Sequence, residues 1–176
     1  MFQFRKSVLS CLGWLAGSEL ICLVMAFSFA LLPQSWARWL SLAFCSLAHC
    51  LLMSECGAAA AKRDLAVYRN EKKQTSRLSP LLLGAAAAVP RCLLYGILWI
   101  MRDSSLMLNV FLLLEAPYIQ IQRLVTGGTE PFSALSPVRQ LLMGLPPLMT
   151  VFSVYIGYLR RYAPALASEK VKTSRV

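Results

Sequence analysis

Three ionisable side chains lie deep inside long apolar runs of the sequence: Glu19, His49 and Arg91. A charge deep in a bilayer costs at least about 2.5–3.5 kcal/mol on insertion scales, so such residues face a protein interior and find partners there. We therefore predict an ion pair between Glu19 and Arg91, with His49 nearby. Two roles are open to this group: a polar site for an ion, a proton or a small solute, or a pair that only locks helices in register.

Four apolar runs carry these residues and have the length of membrane-spanning helices. They cover residues 8–32, 40–61, 80–101 and 141–159. At a rise of about 1.5 Å per residue, Glu19 and Arg91 lie roughly 16 Å and His49 roughly 13–14 Å into their runs, near the middle of a bilayer core about 30 Å thick. With 57% hydrophobic residues, the chain is predicted to be an all-α membrane protein with a single polytopic domain over residues 1–176.

A strongly basic connection, residues 62–77, joins the second run to the third. The basic residues of this connection are Lys62, Arg63, Arg69, Lys72, Lys73 and Arg77. The last run ends with two more, Arg160 and Arg161. Cytoplasmic loops of membrane proteins carry an excess of Lys and Arg. Four spans put 13 such residues inside and four outside, with Arg91 in the membrane, whereas five spans give 10 and 7. The sequence thus predicts a multi-pass protein of the plasma membrane with four spans and both termini in the cytoplasm.

The net charge of +10 could suggest nucleic-acid binding. Because the basic residues lie at the ends of spans, as the orientation of a membrane protein requires, nucleic-acid binding is not expected. The bilayer is the expected partner. Two roles are open to the basic residues: setting the orientation of the chain, or also binding anionic lipid head groups.

Residues 102–140 are predicted to form an external cap between the third and fourth spans. In helical register, Met107, Phe111 and Leu114 share one side with Tyr118, Ile121 and Val125, while Asn109, Gln120 and Arg123 lie on the other. This pattern favours an amphipathic or re-entrant segment over a fifth span.

Small residues and cysteines lie within the apolar runs. Gly13, Gly17 and Gly57 are predicted to let helices approach closely, within this chain or, as the alternative for the first two, in a homodimer. The cysteines are Cys11, Cys22, Cys45, Cys50, Cys56 and Cys92. None forms a C-x-x-C pair or lies in a loop, so we expect free buried thiols, with no disulfide and no zinc site.

Enzyme signatures such as G-x-x-x-x-G-K-[ST], H-E-x-x-H and G-x-S-x-G are missing from the sequence, and the single histidine cannot form a His-rich metal site. We predict no enzyme activity, no cofactor and no metal. The favoured function is a non-enzymatic accessory or assembly subunit that packs with another membrane protein or with itself. The alternative is a subunit of a transporter or channel for a small solute or ion, in which the short spans oligomerise around the polar group.

Several stretches resemble a set of small, uncharacterised bacterial integral membrane proteins. They are the loop KRDLAVYRNEKK, the proline-containing helix AAAAVPRCLLYGIL, the segment LEAPY and the ending GYLRRYAPALASEK. The resemblance covers about the latter two-thirds of the chain by pattern. It implies the membrane architecture only, and no site residue follows from it.

Overall fold

Long apolar helices dominate the structure, a computed structural model that describes residues 2–31, 35–71, 78–126 and 131–173. The helices are α1 (Phe2–Ala30), α2 (Ser35–Glu71), α3 (Ser79–Ile100), α4 (Ser105–Leu114), α5 (Ile119–Thr126), α6 (Pro137–Leu142) and α7 (Pro146–Thr173). No strand occurs within these ranges. Four helical stretches are long and apolar enough to cross a membrane: Arg5–Phe29, Trp36–Asn70, Ser79–Ile100 and Pro137–Ala167. The all-α class with four candidate membrane-spanning helices is confirmed.

Two of the helices extend well beyond the predicted apolar runs. α2 continues to Glu71, so Lys62, Arg63 and Arg69 lie on a helix and not in a loop as predicted. α7 likewise continues past Arg160 and Arg161. The physical reason is that hydropathy marks the part of a helix that suits lipid, whereas charged residues such as Lys and Arg are themselves good helix formers. The predicted loop residues Lys72, Lys73 and Arg77 lie outside the described residues.

α2 is the central element of the bundle, with α1 on one side and α7 on the other, and α3 packs against α7 and α1. One apolar core joins the first half of α1 to the α2–α7 contact and includes Leu15, Met53 and Val154. A second core lies at the opposite end of the bundle and includes Leu98, Phe111 and Phe132. The polar residues described below lie between these two cores.

The backbones of α2 and α7 touch at two glycines, a contact we call the α2–α7 seam (Gly57 and Gly157). A methyl group on Gly57 would overlap the carbonyl oxygen of Val154, and one on Gly157 would overlap the carbonyl oxygen of Ser54. Only glycine permits such an approach. The predicted close helix contact at Gly57 is therefore present, and Gly157 is its partner.

Residues 105–126 fold into a hairpin of two short helices (the hairpin). α4 ends at Leu114, a 3₁₀ turn covers Ala116–Tyr118, and α5 follows. The turn contacts both α1 and α2, so the tip of the hairpin is inserted into the bundle. The structure does not show one continuous amphipathic face, because Leu114 and Ile121 are exposed while Glu115 and Gln122 are buried. The cause is the turn, which resets the helical register between the two arms.

A disulfide joins Cys11 of α1 to Cys56 of α2, and the Cα atoms of these residues are 5.7 Å apart. The expectation of six free thiols is therefore wrong for this pair, while Cys22, Cys45, Cys50 and Cys92 are free. Neighbouring helices packed at this distance bring two cysteines into bonding range without any sequence motif. Their separation of 45 residues gives no local signal.

Candidate functional site

Glu19, His49 and Arg91 meet in the interior of the bundle. An Nη2 hydrogen of Arg91 is donated to Oε1 of Glu19, which makes the ion pair between α1 and α3. Nη1 of Arg91 lies 3.3 Å from Nε2 of His49 on α2. The three residues predicted to meet are thus in direct contact.

Four more residues join them, and we call the whole set the polar cluster: Ser18, Glu19, His49, Arg91, Glu115, Tyr118 and Thr150. Glu115 lies at the end of α4, with Oε2 3.6 Å from Nε of Arg91. Thr150 of α7 accepts a hydrogen bond of 3.0 Å from Nη1 of Arg91. The cluster therefore draws side chains from all four long helices and from the hairpin.

His49 is held as a neutral imidazole by its partners. Ser18 donates its hydroxyl hydrogen to the Leu15 carbonyl at 2.8 Å, which leaves the oxygen to accept from Nδ1 of His49 at 2.9 Å. Nε2 faces the donating guanidinium of Arg91 and so carries the lone pair. With one ring nitrogen protonated and the other accepting, His49 adds no charge to the polar cluster.

Tyr118 closes the cluster from the tip of the hairpin. Its ring centre lies 5.4 Å from Cζ of Arg91 and 5.5 Å from the His49 ring, in an edge-to-face arrangement. Both the cation–π contact and the edge-to-face geometry are favourable. Beside it, the Ser46 hydroxyl donates to the Pro117 carbonyl at 3.4 Å, so α2 also binds the turn backbone.

Polar residues continue from the cluster along α5. Tyr118, Gln122 and Thr126 are spaced four apart, lie on one helical face and are buried. Among the described residues, the Tyr118 hydroxyl and both polar atoms of the Gln122 amide have no hydrogen-bond partner. We call these three residues the polar stripe (Tyr118, Gln122 and Thr126). Buried polar groups are normally hydrogen-bonded, so the unpaired groups of Tyr118 and Gln122 are unusual for a protein interior.

Sequence reasoning missed Glu115 and the polar stripe because it assigned residues 102–140 to the outside. One signal was available: Glu115, Tyr118, Gln122 and Thr126 recur at three- and four-residue spacing, which is a polar face of a helix. That face was overlooked because the apolar residues around it were expected to be the buried ones.

Gly13 and Gly17 do not pack within the chain. A Cβ atom built on either would meet no atom within 4 Å, so the expectation of intrachain packing is wrong for both. They line an open groove of about 360 Å³ (the α1 groove), whose other walls are Ser10, Trp14, Ser18, Ile21 and Leu52.

The basic residues predicted to set orientation are exposed wherever their side chains are described. These are Lys62, Arg63, Arg69, Arg160 and Arg161. Arg63 also donates to the hydroxyls of Ser7 at 3.2 Å and Ser10 at 3.4 Å, which ties α2 to the start of α1. Within the described ranges, no group of three or more His, Cys, Asp or Glu residues is placed to hold a metal ion.

No family model, no curated protein and no solved structure matches this chain. The bacterial resemblance drawn from short stretches thus stays a prediction about architecture.

Proposed function

We propose that this chain is a small membrane transport protein that moves a proton or another small solute by way of the polar cluster. One observation carries the proposal: two carboxylates, Glu19 and Glu115, share one guanidinium, that of Arg91. A single Glu19–Arg91 pair would suffice to lock α1 against α3. A second buried carboxylate adds desolvation cost to such a lock, so its presence favours a site that exchanges charge.

The hairpin supports this function as a re-entrant segment. Its arms, α4 and α5, are about 15 Å and 12 Å long at a rise of about 1.5 Å per residue, which is roughly half of a 30 Å bilayer core. Leu106, Val110 and Leu113 on its outer side are exposed and suit contact with lipid. The non-helical turn at its tip is buried in protein, the condition under which irregular backbone is tolerated at membrane depth. Broken helices that meet charged groups near the midplane are typical of transporter binding sites.

The polar stripe on α5 supplies a route between the polar cluster and one membrane surface. Hydroxyl and amide groups can both donate and accept hydrogen bonds, and the Tyr118 hydroxyl and the Gln122 amide have no partner among the described residues. Because the route lies within one chain, transport does not require the oligomer that the sequence led us to expect. Each copy would carry its own site.

We further propose that both termini face the cytoplasm and that the open end of the hairpin faces outward. The bias of basic residues supports this orientation. Single cysteines introduced at positions 128 and 170 of a cysteine-free variant would be labelled by an impermeant reagent from opposite sides of the membrane. Labelling of position 128 from the cytoplasm would contradict the orientation.

Flux measurements on the full chain in proteoliposomes test the transport proposal. With a trapped pH-sensitive dye and an imposed membrane potential, we expect proton entry above that of empty liposomes and its loss in Glu115→Gln. The matched control is Glu55→Gln, which removes an exposed carboxylate outside the polar cluster. Absence of flux for protons, sodium, potassium and small organic ions would refute transport.

A second candidate is an accessory or assembly subunit, favoured by the α1 groove. Small residues in membrane helices are typical of helix–helix contacts, and Gly13 and Gly17 have no such contact within the chain. We assign the groove to a transmembrane helix of another membrane protein. Affinity purification from native membranes should then recover one stoichiometric partner that is lost in Gly17→Leu. Recovery of a self-associated chain alone would instead indicate a homo-oligomer.

A further inference from the structure

Glu115 and Glu19 share Arg91 unequally. Oε1 of Glu19 accepts a hydrogen bond from Arg91, and its side chain is 23% exposed. Glu115 is 1% exposed, and neither of its oxygens accepts a hydrogen bond from any described residue. Its nearest cationic atom, Nε of Arg91, is 3.6 Å away, beyond a hydrogen bond.

Two of the three nitrogens of Arg91 donate to groups other than Glu115, and the third, Nε, has no hydrogen-bond partner among the described residues. Nη2 serves Glu19, and Nη1 serves Thr150 and His49. His49 is neutral and turns its lone pair toward Arg91, so it neither donates to Glu115 nor supplies positive charge. Tyr118, the remaining titratable member of the polar cluster, contacts the face of the guanidinium.

An ionised Glu115 would therefore be a buried anion with no donor within hydrogen-bond distance, 3.6 Å from Nε of an arginine that already forms a hydrogen-bonded ion pair with Glu19. Burial without hydrogen bonds disfavours the charged form of a carboxyl group and favours the acid. Glu19 has the opposite surroundings, because a direct charge-assisted hydrogen bond favours its ionised form.

We propose that Glu115 is the proton-binding residue of the polar cluster, while Glu19 remains ionised against Arg91. This inference rests on the proposed transport function and names its substrate as the proton. Binding forms one O–H bond on a Glu115 oxygen with a proton delivered from water. Release breaks that bond and returns the proton to water, with no change of oxidation state.

A proton fits this position better than a metal ion does. Arg91 forms ion pairs with both carboxylates, so a metal cation held between them would meet the positive guanidinium. The described residues also lack any further group of His, Cys, Asp or Glu able to complete a coordination shell. The acid form of Glu115 needs neither additional space nor additional ligands.

The groups that face Glu115 set the pH at which it titrates. They are Arg91 on α3 and Glu19 on α1, while neutral His49 on α2 and Tyr118 in the turn contact Arg91. α7 contributes the uncharged Thr150 through its bond to Arg91. Because only Glu115 lacks a donor, the polar cluster should take up one proton in a single step.

Infrared difference spectroscopy of the full chain in lipid nanodiscs tests this assignment. We expect a carbonyl stretching band of a protonated carboxyl group that shifts in D₂O and disappears in one step as the pH is raised. Glu115→Gln should abolish the band, whereas Glu19→Gln should keep the band but move its loss to lower pH, because Arg91 then lacks the Glu19 charge and favours ionised Glu115. Uniform ¹³C labelling of glutamate in the unmutated chain should shift the band, which assigns it to glutamate even if a variant fails to fold.

The proposal is overturned if the labelled chain shows no such band at any pH, or if Glu19→Gln removes the band and Glu115→Gln keeps it. These outcomes are separate from failure of transport. Proton flux without a Glu115 band would refute Glu115 as the proton-binding residue and leave the transport function intact. A Glu115 band without any flux would confirm the proton site and refute the transport function.

Discussion

At the α2–α7 seam two backbones touch because glycines carry no side chains, whereas at the polar cluster charged and polar side chains connect the helices. The seam has no group that titrates and no charge to satisfy. In the polar cluster, the carboxyl groups of Glu19 and Glu115 pair unevenly with the guanidinium of Arg91. Packing at the seam therefore does not depend on the protonation of its two residues, whereas the energy of the polar cluster does depend on the protonation of its side chains.

The largest effect is expected where the charge balance of the polar cluster is broken. Arg91→Met leaves two buried carboxylates without a cation and should lower the free energy of unfolding by about 3–5 kcal/mol. Unfolding by SDS in mixed micelles, followed by circular dichroism, measures the loss. Arg102→Met removes an exposed arginine at the end of α3 and serves as the control. Equal stability of the two variants would show that the polar cluster contributes no net stabilisation.

A smaller effect is expected at the α2–α7 seam. Gly57→Val forces atoms into the Val154 backbone and should cost about 1–3 kcal/mol or more, as overpacked cores do. Gly13→Val, in a position with open space, is the matched control and should leave stability nearly unchanged. Thermal unfolding in detergent compares the two. A Gly13→Val protein as destabilised as Gly57→Val would contradict the assigned seam.

The smallest effect is expected from a single neutral hydroxyl of the polar cluster. Thr150→Val removes an acceptor of Arg91 and should cost about 1–2 kcal/mol, since it leaves a buried donor unpaired. Ser28→Ala, which removes an exposed hydroxyl bonded only to the Val24 carbonyl of its own helix, should cost less than about 0.5 kcal/mol. The same unfolding assay ranks them. No difference between them would show that Thr150 does not support Arg91.

The sequence was sufficient to predict the spans and the contact of Glu19, His49 and Arg91. Ionisable side chains deep in apolar runs are costly to expose to lipid, so they face the interior of the bundle and pair there. It was not sufficient for Glu115, whose preceding apolar run is too short to cross a bilayer and so was assigned to the outside. A helix that enters and returns needs only half the length of a span, and hydropathy does not separate it from a surface helix.

Two pairings were missed for a related reason. The contacts Cys11–Cys56 and Gly57–Gly157 depend on which helices are neighbours and on how those helices are aligned along their axes. Neither quantity is encoded in a local pattern. A single glycine in an apolar run does not reveal which helix will lie against it.

The disulfide between Cys11 and Cys56 has a mechanical consequence. It fastens α1 to α2 covalently, and the seam packs α2 against α7, so three of the four long helices form one connected frame. α3 packs closely on this frame as well, with Gly84 against Val151 of α7. The tip of the hairpin is held in the frame by packing on α1 and α2 and by the Glu115–Arg91 contact, with no cross-link of this kind among the described residues.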